Sequence, residues 1–168
     1  WFDDAGWARI VEHWRIAARL ARQANFRGLL FDPEPYAPPH AQFSYNAQAG
    51  RTDHTFEQYA AQARRRGREV MRAIAAEHDR MVLFCYFLNS VLAHHAAQAD
   101  PRVSLAGEGY GLLPAFLDGW LDQTPPTITF VDGCEGAYRH NSVLQYLESG
   151  LAIRGDCQAL VAPENRAK

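Results

Sequence analysis

The sequence has one lysine, three cysteines and no excess of basic residues. With 17 Lys+Arg against 19 Asp+Glu, its net charge is -2, which argues against nucleic-acid binding through bulk positive charge. No run approaches the roughly 20 apolar residues that a transmembrane helix requires. Cys85, Cys134 and Cys157 are widely spaced and odd in number, so they predict neither a zinc pattern nor a disulfide framework. We therefore expect neither a nucleic-acid partner nor a membrane partner.

Several short functional motifs are also missing. There is no GxGxxG after any predicted strand and no GxxxxGK[ST], which removes the main sequence support for a dinucleotide-binding or P-loop fold. No serine lies in a GxSxG elbow, so a serine hydrolase is poorly supported.

The composition is that of an ordinary globular protein, with 48% apolar and 21% charged residues. The sequence opens at Trp1 with no basic and apolar leader, so we expect an internal piece of a longer chain. Its length suffices for one domain with a sizeable core, and we treat residues 1–168 as a single segment.

The hydrophobic pattern predicts alternating helices and strands. Apolar residues at three- and four-residue spacings predict helices over 4–24, from about 55 to 74, over 112–123 and over 143–161. Thr55 and Gln58 match a capping box at the start of the second helix. Short apolar runs predict strands over 28–32, 81–88 and 127–132. Strands separated by long helices indicate a parallel α/β sheet. We expect part of a (β/α)8 (TIM) barrel, truncated at both ends.

In such a barrel the active site lies where the strands end. Two of the predicted strands end in pairs of carboxylates, and all three are followed by an aromatic residue. Carboxylates can act as acid and base on a glycosidic bond while aromatic rings cover a sugar, so this set favours a carbohydrate substrate. The predicted site residues are Asp32, Glu34, Tyr36, Tyr86, Asn89, Asp132, Glu135 and Tyr138, joined by Trp1 and Asp3 from the loop before the first helix.

The segment from Asp32 to Tyr36, DPEPY, is the sharpest signal. Its two prolines stiffen a stretch that carries two acids, which reduces the cost of ordering a catalytic group. We expect Glu34 to be the proton donor and Asp32 to tune it or to bind a sugar hydroxyl. Asp132 or Glu135 would be the second carboxylate, in either an inverting or a retaining pair. The alternative is a proline-rich turn whose aspartate caps a neighbouring amide.

Other candidates have simpler explanations. His94 and His95 are candidate metal ligands by residue type. Adjacent histidines on a helix face different ways, however, so we expect no metal ligands there. The arginines between Arg64 and Arg72 indicate the solvated face of an outer helix. Two alternative functions stay open: a carbohydrate-binding barrel without catalysis, and a metal-dependent barrel hydrolase. The second predicts that His94, His140 or His40 converges with an aspartate.

The run GLLFDPEPY from Gly28 to Tyr36, followed by a long helix and by VDGCE from Val131 to Glu135, resembles bacterial glycoside-hydrolase-type (β/α)8 barrels. Such barrels often carry the acid/base at the end of the fourth strand. If the chain begins after a third strand, the resemblance implies that Asp32 and Glu34 fall there. It implies a hydrolase of sugars without a cofactor. The chain lacks the Asn-Glu pair and the DxxDxDxE run found in some of these enzymes, which leaves the stereochemistry open.

Overall fold

The computed structural model describes residues 1–36, 41–98, 100 and 103–168. In that part of the chain, helices and strands alternate as expected. Three strands form a parallel sheet in the order β1-β2-β3, so an α/β architecture is confirmed. The elements in chain order are α1 (Asp4–Gln23), β1 (Gly28–Phe31), α2 (Phe56–Glu77), β2 (Val82–Cys85), α3 (Leu113–Gln123), β3 (Thr129–Asp132) and α4 (Val143–Arg154).

The helices cover one face of the sheet. Phe31 on β1 packs against Trp14 of α1 and Trp120 of α3, and Trp120 also stacks on Phe130 of β3. Leu83 at the centre of this face is fully buried. On the opposite face Leu30 is 59% exposed and Phe84 is 40% exposed. Because strand side chains alternate between faces, α1, α2 and α3 pack on one side, and the other side is open among the described residues.

The predicted starts of the first two long helices are confirmed by their caps. The side chain of Asp3 accepts a hydrogen bond from the backbone of Gly6 at the start of α1. Thr55 and Gln58 form the expected capping box at the start of α2. Each cap satisfies backbone N–H groups that the first helical turn leaves without partners.

Two elements are shorter than expected by more than two residues. The second strand ends at Cys85 and does not continue to residue 88, because Pro33 and Pro35 beyond the neighbouring β1 have no N–H to extend the ladder. The last helix ends at Arg154 and not at residue 161, because Gly155 caps it and a 3-10 turn, Asp156–Leu160, follows. The expectation of a continuous helix there was wrong.

Arg64 and Arg66 of α2 form specific ion pairs, whereas the sequence indicated a solvated helix face. Arg66 is only 2% exposed, and its guanidinium binds Asp4, Glu69 and the carbonyl of Trp1. Arg64 makes a paired contact with Asp122 on α3, with N···O distances of 2.8 and 2.7 Å. These arginines therefore join α2 to its neighbours.

Among the described residues, none of the helices combines the length and the apolar character that crossing a bilayer requires.

Candidate active site

The chain leaving β1 is held by its own aspartate. The carboxylate of Asp32 accepts a hydrogen bond from the backbone N–H of Glu34 at 2.9 Å and a short one from the hydroxyl of Tyr36. Pro33, between the two acids, is buried. Asp32 thus fixes the turn that carries Glu34. The two predicted acids stand on this turn, and Asp32 also caps a neighbouring amide, as the alternative interpretation expected.

The chain leaving β3 stays attached to the end of β2. Gly133 donates to the carbonyl of Cys85 at 2.8 Å, and Glu135 donates to the carbonyl of Tyr86 at 3.0 Å. Between them Cys134 adopts a left-handed conformation with φ of 47°, which few residues other than glycine do. This turn carries Glu135 over the end of the sheet.

Glu34 and Glu135 meet at this edge. The pKa of Glu135 is raised by burial first, then by the negative charges of Glu34 and Asp32 and by a hydrogen bond with Glu34. Burial and a like charge both disfavour the ionised form of a carboxyl group. We call Asp32, Glu34 and Glu135 the carboxyl cluster. Acids that follow two different strands are thereby brought together.

Two tyrosines surround the carboxyl cluster. The pKa of Tyr36 is raised chiefly by its hydrogen bond to Asp32, with burial and Glu34 adding to the effect. The pKa of Tyr110 is raised by burial and then by the charges of Glu34, Glu135 and Asp32. Both phenols therefore stay protonated and can donate hydrogen bonds to the cluster or to a ligand. Tyr110 was not predicted, because it lies in a glycine-rich loop without a strand before it.

A groove lined by aromatic rings opens beside Glu135. It has a volume of 570 Å³. Two of its aromatic residues, Tyr86 and Tyr138, were predicted from the sequence, whereas Phe84 and Tyr146 were not. We call it the aromatic groove, and its lining residues are Phe84, Tyr86, Gly133, Cys134, Glu135, Ala137, Tyr138 and Tyr146.

Asp132 and Asn89 lie elsewhere. Asp132 is in register with the buried Cys85, so its side chain is on the helix-covered face of the sheet. Its carboxylate accepts hydrogen bonds from the backbone of Ser90 at 3.1 Å and from the Ser90 hydroxyl at 2.6 Å. Asp132 and Asn89 line a cavity of 180 Å³ that also includes Trp120. The structure therefore does not bring either residue to the aromatic groove.

The remaining predicted residues are engaged in other contacts. Trp1 stacks on Trp7 with ring centroids 4.9 Å apart, and its indole N–H donates to the carbonyl of Gln42. Asp3 is the cap of α1. His140 contacts the hydroxyl of Ser149 at 2.7 Å, and His40 lies outside the described residues. These contacts belong to the helix layer and to the segment around α4.

Comparisons with protein-family models, with curated proteins and with solved structures gave no match for this chain.

Proposed function

We propose that the protein is a glycoside hydrolase in which Glu34 and Glu135 are the two carboxyl groups that act on the glycosidic bond. The observation that carries this proposal is the effect of Glu34 on the pKa of Glu135, because the two acids come from separate strand ends and Glu135 lines the aromatic groove. Most glycosidases need one carboxyl group protonated and one ionised on either side of the scissile bond.

Glu135 is the proton donor in this proposal, and Glu34 is the ionised partner. The sequence suggested the reverse order, with Glu34 as the acid. The raised pKa of Glu135 supports assigning the acid role to Glu135, because a proton donor must keep its proton near neutral pH. Glu34 lies on a stiffened segment whose backbone N–H is bound by Asp32, which suits a base or nucleophile that must not move.

The close approach of the two acids favours a retaining mechanism. Glu34 raises the pKa of Glu135 through its charge and a hydrogen bond, so the two carboxyl groups are close neighbours. Of the two glycosidase geometries, the retaining pair has the shorter separation, roughly 5–5.5 Å. An inverting pair lies farther apart, at about 6.5–9.5 Å.

The aromatic groove supplies the sugar-binding surface. Tyr86 and Tyr146 line its walls, and Tyr138 is strongly exposed at its rim. Ring faces contact the C–H faces of a sugar, while phenol hydroxyls reach its polar groups. The groove is open, which suits a saccharide bound from solvent.

We extend the proposal to a (β/α)8 barrel. Two features support it: the strands follow one another in the sheet in chain order, and the helices α1 to α3 all cover the same face. In a barrel the face carrying Leu30 and Phe84 would point inward and pack against the remaining strands. A doubly wound sheet would place helices on both faces.

Turnover of chromogenic glycosides by four proteins tests the function. We expect Glu34→Gln and Glu135→Gln each to lose about 10²–10⁴-fold in kcat/KM while folding and ligand binding are retained, because each removes one acid–base group. Glu12→Gln on α1 is the matched control and should leave turnover unchanged, because Glu12 forms an exposed ion pair with Arg15 on its own helix.

Two results would count against the proposal. Full activity of Glu34→Gln would remove that residue from the mechanism. Sugar binding by the unmodified protein without any turnover would favour the carbohydrate-binding barrel. Asp132→Asn separates the two candidates for the second carboxylate, since we expect it to keep turnover and to lose stability through its bonds to Ser90.

A further inference from the structure

Two histidines and a glutamate converge away from the carboxyl cluster. His94 and His95 end a 3-10 segment, Asn89–His95, and Glu108 follows another 3-10 segment, Val103–Gly107. The two imidazole centroids are 4.2 Å apart. The nearest ligand atoms of the three side chains all lie within 4.8 Å of one another. The adjacent histidines therefore do not diverge as a regular helix would require.

His95 is buried and firmly oriented. It is 3% exposed, and its Nδ1 lies 2.7 Å from the hydroxyl of Ser104 and 3.0 Å from the amide nitrogen of Gln98. Metal-binding histidines commonly have their second ring nitrogen held by such a partner, which fixes the ring and leaves the other nitrogen for the ion.

The other ring nitrogen of His95 is placed as a ligand atom. Its Nε2 lies 3.1 Å from Oε1 of Glu108, yet among the described residues it has no partner in hydrogen-bond geometry. Two ligand atoms that each bind a tetrahedral Zn²⁺ at about 2.0–2.1 Å are about 3.3 Å apart. The 3.1 Å spacing is close to that value, and because the two groups are not in hydrogen-bond geometry, it is compatible with two groups that share a cation.

We propose that His94, His95 and Glu108 bind a divalent transition-metal ion of the Zn²⁺ type, with water as the fourth ligand. Two imidazoles and one carboxylate are a common ligand set for Zn²⁺, and imidazole disfavours Mg²⁺ and Ca²⁺. His94 is exposed, so its ring can turn toward the ion and the site is open to solvent. This site is independent of the glycosidase proposal, because no step at Glu34 or Glu135 uses it.

The ion would connect two segments that already share an apolar contact. Leu92 of the first segment and Leu105 of the second are buried in one cluster with Leu160. Tyr110, whose pKa is raised in part by the charges of the carboxyl cluster, packs beside them. A metal at His95 and Glu108 would therefore stabilise the loop that carries Tyr110.

Titration of the chelator-treated protein with Co²⁺ alone, followed by displacement with Zn²⁺, tests the site. We expect one equivalent of Co²⁺ with the visible absorption of a four-coordinate ion. His94→Ala and Glu108→Gln should abolish that band, and Ser104→Ala should weaken the affinity about 10–100-fold. His78→Ala is the matched control, because His78 ends α2 and contacts the carbonyl of Phe26.

The outcomes are distinct. Because His94 is exposed, His94→Ala should fold normally, and a far-ultraviolet circular dichroism spectrum checks this. A folded His94→Ala variant that binds Co²⁺ like the unmodified protein would overturn the proposal, as would the absence of stoichiometric binding. Binding lost in His78→Ala and kept in Glu108→Gln would place the ion elsewhere and overturn it too.

Discussion

At the scale of single residues, the roles of Asp132 and Glu135 depend on one turn. Asp132 is the last residue of β3 and Glu135 follows three residues later, and the sequence left the two acids as equal candidates. The left-handed Cys134 separates them: Asp132 stays on the helix-covered face and binds Ser90, and Glu135 crosses to Glu34. A cysteine carries no turn signal of the kind that glycine or asparagine gives, so the sequence could not predict this division.

The DPEPY segment, by contrast, could be interpreted from its sequence. Two prolines restrict the residues before them to extended geometry, so Asp32 and Glu34 were expected on the same side. In the structure both acids raise the pKa of Tyr36, and the largest cause is the hydrogen bond that the Tyr36 hydroxyl donates to Asp32. The convergence of His94, His95 and Glu108 was not predictable, because it depends on how two separate loops fold together.

At the scale of elements, α2 and α3 cross at glycines. A Cβ atom added at Gly67 would lie 2.1 Å from the carbonyl oxygen of Phe116, and one added at Gly119 would lie 2.1 Å from that of Arg64. Both distances are far below van der Waals contact, so only glycine allows the helices to approach this closely. Periodicity predicted both helices, but it does not report how closely they cross.

Alanine substitutions at two helical glycines test this crossing. We expect Gly67→Ala to lower the free energy of unfolding by about 1–3 kcal/mol, because the methyl group would push α2 away from α3. Gly150→Ala on α4 is the matched control: nothing lies within 4 Å of its added Cβ, and it should stabilise the protein by up to about 1 kcal/mol. Urea unfolding of both variants gives the comparison, and equal effects would contradict the close crossing.

At the scale of the whole molecule, an ion-pair network joins distant parts of the chain. Asp122 on α3 accepts hydrogen bonds from Arg64 and Arg68 of α2 and from Asn165 near the end of the sequence. The guanidinium of Arg64 holds the pKa of Asp122 well below its usual range. The open sheet face and the exposed apolar residues of α4 have no comparable partner among the residues described.

Removal of the Asp122 charge should therefore weaken the assembly of the helix layer. We expect Asp122→Asn to cost about 1.5–3 kcal/mol of unfolding free energy at neutral pH, the range for hydrogen bonds to a charged group. Because the pKa of Asp122 is lowered by folding, its stabilisation is present above the unfolded-state pKa and is lost as the pH falls through the folded one. The difference between the two proteins should thus shrink in acid, and a difference independent of pH would contradict this account.

The measurement that tests the central claim most directly is a carbon-13 NMR titration of the Glu135 carboxyl group, in the unmodified protein and in Glu34→Gln. We predict a pKa above the ordinary value for glutamate in the unmodified protein. In the variant it should fall and still remain raised, because burial is the larger cause and persists. An ordinary pKa in the unmodified protein, or a pKa that does not respond to Glu34→Gln, would show that the two acids do not form a pair.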